Sequence, residues 1–289
     1  MTPVVHPNSS AANTGTTPAS IEEARHYFDQ DMAEADIHRI AGGRAAVYSA
    51  RCPDKQTPNE DAAALVPFGH GAAVLMVADG LGGVRAGEQA SMTAVRAIEA
   101  ALAEALERGL PVRVGILNGI ERANSVVTEL GLGAATTLAL LEVQENVVRP
   151  YHVGDSLMLI VGGRGTIKLQ TVSHSPVGFA VESGLLDETE AMHHEDRHIV
   201  SNVIGAPDMR IEVGSALKLA THDSVLLASD GLADNLHTEE IVARLHKGPL
   251  KRAAAALATN ARQRMTQPEE GQPSKPDDVT FVAFRRRKS

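Results

Sequence analysis

Four acidic positions stand where apolar, strand-like runs begin or end: Glu60-Asp61 before AAALV, Asp79-Gly80 closing VLMVADGL, Asp230-Gly231 closing VLLASDGL, and Asp277-Asp278 before VTFVAF. Taken singly, each has a plain reading, because Asp-Gly is a common hairpin turn and an Asp ahead of a strand caps it or faces water. Repetition changes the weight. Two separate apolar runs stop at Asp-Gly-Leu, and the first continues with Gly82 and Gly83, where a missing side chain lets the backbone turn and leaves a carbonyl exposed. Four carboxylates meeting in one cleft would repel one another and take up protons unless a cation compensated them. Hard oxygen donors without a Cys/His zinc spacing favour Mg²⁺ or Mn²⁺, and two such ions make a hydrolytic binuclear centre.

The elements that position these acids follow from periodicity. Ala/Leu/Glu/Arg-rich patterns predict long helices over about 86–108 and 112–130, closed by Gly109 and Gly131. Short β-like runs between 135 and 169, separated by Glu145-Asn146, Gly154-Asp155 and Gly162-Gly163, predict an antiparallel meander. Further strands are expected around 45–50, 225–229 and 279–284, with helical patterns from Thr238 to Met265. Residues 21–40 read as a polar segment with room for one helix, and 176–207 as a short helix and exposed loop. The chain divides into a flexible extension over 1–35, a folded body over 36–286 and a basic end at 287–289. The four basic residues of the terminal RRRKS are expected to be solvated. Strands and helices in this order imply an α+β fold with antiparallel sheets.

Composition removes other classes. With 27 basic and 36 acidic side chains the net charge is −9, which argues against a general nucleic-acid binder. Cys52 is the one cysteine, so no intramolecular disulfide forms. No apolar run approaches the roughly 20 residues of a membrane span. The N-terminus lacks the pattern of a secretory leader, and a cytoplasmic protein is expected. Without a sustained heptad, a monomer is the default.

The ordered segments NEDA (59–62), ADGLGGVRAGEQAS (78–91), AATTLALL (134–141), HVGDS (152–156), SHS (173–175), SDGL (229–232) and PDDVT (276–280) resemble the bacterial PP2C-type, metal-dependent protein serine/threonine phosphatases. The resemblance spans about residues 40–285. It implies a four-layer αββα sandwich, with two central antiparallel sheets flanked by helix pairs. It also implies phosphoserine and phosphothreonine hydrolysis by a hydroxide bridging two Mn²⁺ or Mg²⁺ ions. By motif match Asp79 would bridge the ions, Glu60 and the Gly80 carbonyl would serve one, and Asp230 with Asp277 the other. Asp61 would hold metal-bound water, and Asp155 with Asp230 would form a third metal site. Phosphorylated proteins and a cognate kinase are the implied partners, and 175–207 matches the family's flap.

Some positions depart from the family pattern. Gln56 stands where an Arg commonly grips phosphate, leaving Arg51 or Lys55 as substitutes. Leu81 replaces the His of many eukaryotic relatives, and Asp278 replaces the usual Asn. His174 follows Ser173 in place of Asp and keeps a purely structural reading, while His193-His194 is assigned no role. These departures keep alive a second hypothesis, a catalytically weak or inactive binding module on the same fold. A small-molecule phosphohydrolase or a phosphatase of sigma-factor signalling is a third.

Overall fold

Alternating apolar residues along the strands set the layers. A computed structural model describes residues 23–81, 86–131 and 133–286. It begins with β1 (Arg25–Phe28), β2 (Asp36–Ile40), β3 (Gly43–Ala50), β4 (Asp61–Phe68) and β5 (Ala72–Leu81). Two helices follow, α1 (Ala86–Glu107) and α2 (Val112–Leu130), then β6 (Ala135–Thr136), β7 (Leu138–Gln144), β8 (Val147–Val153), β9 (Leu157–Val161) and β10 (Ile167–Gln170). The segment over 175–207 holds α3 (Pro176–Glu182) and α4 (Glu188–Met192). The chain closes with β11 (Glu212–Val213), β12 (Leu217–Lys218), β13 (Ser224–Ala228), α5 (Asp230–Ala233), α6 (Thr238–Leu245), α7 (Leu250–Thr266) and β14 (Val279–Arg286).

One sheet runs β1-β4-β5-β7-β8-β11, with β6 beside β5 and β12 beside β8, and the other runs β10-β9-β13-β14-β3-β2. The strand pairings among the described residues are antiparallel. In β5, Val74, Met76 and Ala78 pack on Ile98, Leu102, Ile116 and Ile120 of the first helix pair. The alternate residues Ala73, Leu75 and Val77 belong to the core between the sheets, with Val225, Leu227, Val282 and Phe284. Leu226, Ala228, Phe281 and Ala283 face the other way, toward Leu245, Leu257 and Ala261 of the second helix pair. Three apolar interfaces make four layers, the αββα order that the resemblance implies.

Several local expectations change. Residues 25–40 form two strands and no helix, because Tyr27 and Ile40 enter the core between the sheets while Phe28 packs on the helix side. The folded body therefore begins by Arg25, ahead of the expected boundary at 36, since β1 pairs with β4 from Arg25↔Leu65 to Phe28↔Ala62. Gly154-Asp155 is not a hairpin turn. β8 and β9 lie in different sheets, and Gly154, at φ +107, carries the chain across where a Cβ would meet Thr137 at 2.6 Å. Arg285 is held rather than solvated, donating to the Ser224 hydroxyl at 2.8 Å and to the Leu245 carbonyl at 2.5 Å. The expected turn glycines Gly82 and Gly83, residues 1–22 of the N-terminal extension, and 287–289 lie outside the described residues.

Candidate metal centre

Neither Asp-Gly pair is a hairpin turn. Asp79-Gly80 lies within β5, and Asp230-Gly231 opens α5. Register places Asp61 of β4 directly opposite Asp79 of β5, a like-charged cross-strand pair that is unfavourable without a counter-ion. Asp230 follows β13 and Asp277 precedes β14, neighbouring strands of the other sheet. The acids converge from both sheets onto one end of the sandwich. Asp61, Asp230, Asp277 and Asp155 all lie near enough to Asp79 to act on its charge.

The motif residues around the acids explain themselves as supports. The Asp79 N–H donates to the Thr137 hydroxyl at 3.0 Å, while its carbonyl accepts from the Thr136 hydroxyl at 2.8 Å and the Thr137 N–H at 2.9 Å. The Ser91 hydroxyl donates to the Glu60 carbonyl at 2.6 Å. Asn59 accepts the Asp61 N–H at 2.9 Å and donates to Ser49 and to the Gln30 carbonyl. The Ser229 hydroxyl donates to Asp61 Oδ2 at 2.7 Å and accepts the Thr280 N–H at 3.0 Å, tying the two sheets together at the acids. Gly80 packs so closely that a Cβ would lie 2.1 Å from the Gly87 carbonyl oxygen, so only glycine leaves the strand where Glu60 and Asp79 meet.

Charge at the centre is unbalanced. Burial first, then Asp278, pushes the Asp61 carboxyl well above its usual range, against a lowering hydrogen bond from Ser229. Burial and then Asp61 do the same to Asp79. Burial and then Asp230 push Asp155 up to about 7 and Asp277 up to about 6. Two lysines offset part of this. Lys55 Nζ sits 2.6 Å from Asp278 Oδ2 and 2.8 Å from Glu60 Oε2. Lys275 Nζ contacts Asp230, Asp234 and Asp277 at 2.5, 2.9 and 3.4 Å. Eight carboxylates, at 60, 61, 79, 155, 230, 234, 277 and 278, thus face two ammonium groups. An all-oxygen donor set with surplus negative charge fits hard divalent cations.

The structure assigns the departures. Arg51 turns to Asp31, at 3.3 Å in an exposed pair, and does not reach the acids. Gln56 donates to the Asp54 carbonyl within its own turn. Asp278 is buried and accepts from the Cys52 N–H at 2.7 Å, the Glu60 N–H at 2.8 Å and Lys55, so its extra charge is met by a lysine. Asp278→Asn is therefore expected to lower stability by about 1–3 kcal/mol in urea denaturation, because an NH₂ would face donors and Lys55 would lose a partner. An unchanged midpoint would remove this role. His174 is structural: its Nδ1 accepts the Gly154 N–H at 3.1 Å, so Nε2 carries the proton and donates to Glu212 at 2.9 Å. With that lone pair occupied, the neighbouring His152, His174 and Glu212 do not form a ready ligand set. His193 and His194 bond to local backbone.

Three residues at the centre were missed in the sequence. Asp234 and Lys275 are described above. Arg197, on a single 3₁₀ turn (Glu195–His198), shares a cleft of about 350 Å³ with Asp155, Asp230 and Asp234; burial and then Asp230 push the Asp234 carboxyl up, with Lys275 and then Arg197 opposing. The i, i+4 spacing of Asp230 and Asp234 at a helix start was a readable signal. Nothing comparable marked Arg197.

Residues 50–267 match the model of the protein phosphatase 2C family, and the chain belongs to that family. It is 31% identical over 194 residues to protein phosphatase PhpP of Streptococcus pneumoniae, covering 65% of this chain and 78% of the relative. The Streptococcus agalactiae serine/threonine phosphatase superposes with a TM-score of 0.71 at 27% identity, over 83% of this chain and 98% of its own. The catalytic domain of the phosphatase PstP in complex with 2 manganese ions superposes at 0.64 and 25% identity, over 85% and 99%. The fold and family expected from the motifs are borne out.

Proposed function

We propose that this protein is a metal-dependent protein serine/threonine phosphatase that hydrolyses phosphoserine and phosphothreonine. The observation that carries this reading is the convergence of Glu60, Asp79, Asp230 and Asp277, from both sheets, on a centre more negative than its own lysines offset. Glu60, Asp79 and the Gly80 carbonyl would hold one divalent ion, and Asp79, Asp230 and Asp277 a second. Mn²⁺ or Mg²⁺ suits these donors, and the manganese-bound PstP relative supports Mn²⁺. When bound, such ions supply Lewis acidity and neutralise phosphate charge.

The chain's own groups do the rest. Thr136 and Thr137 fix the Asp79 backbone, so the strand position from which its carboxylate projects is held. Asp61, braced by Ser229, orients water without itself contacting substrate. Leu81 offers no proton, so leaving-group protonation falls to water. Arg197, anchored through one guanidinium nitrogen to the Met192 carbonyl, presents the flap's cation to the cleft and replaces Arg51 as the phosphate-binding candidate. Arg197→Ala is expected to raise KM for a phosphothreonine peptide about tenfold with Mn²⁺ affinity unchanged. A KM that does not move would place phosphate recognition elsewhere.

The reading carries with it phosphoprotein substrates, a cognate kinase, a monomeric chain and a cytoplasmic setting. Among the described residues no helix is long and apolar enough to cross a membrane. Comparing kcat/KM for a phosphothreonine peptide and for p-nitrophenyl phosphate tests the substrate class. Preference for the peptide supports a protein phosphatase, and the reverse favours a small-molecule phosphohydrolase.

A further inference from the structure

Lys275 enters the acidic centre from a loop that the motifs leave unmarked. Asp234 Oδ2 is buried without a hydrogen bond of good geometry, and its charge is met by the Lys275 ammonium at 2.9 Å. The same ammonium lies 2.5 Å from Asp230 Oδ2. This lysine has not simply folded in from the surface. Its backbone N–H donates to Asn235 Oδ1 at 2.9 Å and its carbonyl accepts from Asn235 Nδ2 at 2.8 Å, while Asn235 is fully buried just after α5, the helix that begins with Asp230. Ser274 before it donates to the Arg264 carbonyl at 2.9 Å, and Pro276 after it restricts the backbone. The backbone is thus held on both sides, with the side chain reaching across Asp230.

An ammonium carries one positive charge and three donors, and it satisfies carboxylates that would otherwise face a metal ion. A divalent cation between Asp155, Asp230 and Asp234 would need the same oxygens, and two cations this close repel. Building on the metal-centre reading above, we propose that Lys275 is a tethered cation occupying the third-ion position beside Asp230 and Asp234, so that this chain holds two divalent ions and not three. Lys275 also weakens the ion at Asp230 and Asp277, since part of the negative charge there is already spent.

Equilibrium dialysis of the intact chain against Mn²⁺, with elemental analysis, tests this without any activity readout. The expected result is two ions in the parent and in Lys275→Arg, and three in Lys275→Met, with apparent affinity tightened about tenfold. Adding Asp234→Asn to Lys275→Met should return the count to two. Lys275→Gln, which keeps a donor and loses the charge, should behave as Lys275→Met does, and circular dichroism establishes that each variant is folded. Three ions in the parent, or no change in Lys275→Met and Lys275→Gln, would overturn the proposal while leaving the binuclear reading intact. Metal bound only once Lys275 is neutralised would overturn it too, since the parent is expected to hold two ions. No metal bound in any form would overturn both.

Discussion

Asp79→Asn is expected to lower phosphopeptide turnover by about 10²–10³-fold or more while leaving the metal-free fold at least as stable as the parent. The two halves of this expectation share one cause. Asp79 faces Asp61 across the strand pair, and burial with that neighbour holds its carboxyl well above the usual range. Asn is isosteric and keeps every backbone bond to Thr136 and Thr137, because those use main-chain atoms. It removes one charge from an over-charged cluster, a relief of roughly 1 kcal/mol, and it removes the carboxylate that both ions would share. Urea denaturation in EDTA measures the first effect and peptide hydrolysis the second. A destabilised variant that keeps its turnover would show that Asp79 is a structural acid and not a ligand.

Metal-free protein is expected to lose stability as pH rises through the neutral range, opposite to the usual behaviour of salt-bridged carboxylates. The folded-state values of Asp277, about 6, and Asp155, about 7, lie above the ordinary 3.8, and Asp61 and Asp79 move in the same direction. The folded state therefore binds more protons than the unfolded state above pH 4, so the stability these carboxyls contribute is full below about 4, falls from there, and is lost for Asp277 and Asp155 as pH passes about 6 and 7. The change is on the order of a few kcal/mol. Lys55 and Lys275 stay protonated throughout this window, held by their carboxylates against the cost of burial, and add nothing to the slope. Mn²⁺ takes over the protons' role as counter-charge and should flatten the dependence. Urea midpoints between pH 5 and 8, in EDTA and in excess Mn²⁺, decide this. A metal-free midpoint that rises with pH would contradict the charge imbalance on which the site rests.

What could be read in the sequence depended on how long and how local the signal was. The helices α1 and α2 are 22 and 19 residues of sustained periodicity, and their ends fall within a residue of expectation. The acids were legible because each bounded an apolar run. β1 was not, since RHYF is too short to show alternation and its partner in β4 lies some forty residues on. The switch between sheets at Gly154-Asp155 looks like a turn locally, and only the two cores distinguish it from one. Lys275 sits in a proline-flanked loop that reads as a helix breaker, and the Asn235 clamp holding it is forty residues away in sequence. Arg51 looked suitable by position alone, whereas three-dimensional packing pairs it with Asp31 and gives the cleft to Arg197.

The central claim is that these acids form a working metal centre, and restoring Mn²⁺ to EDTA-stripped protein with a phosphothreonine peptide, monitoring phosphate release, tests it most directly. The expected result is no release before the ion is added, release that saturates with Mn²⁺, and loss of release on renewed chelation. Folded protein that binds Mn²⁺ yet releases no phosphate would contradict the account and leave a binding module on a phosphatase fold.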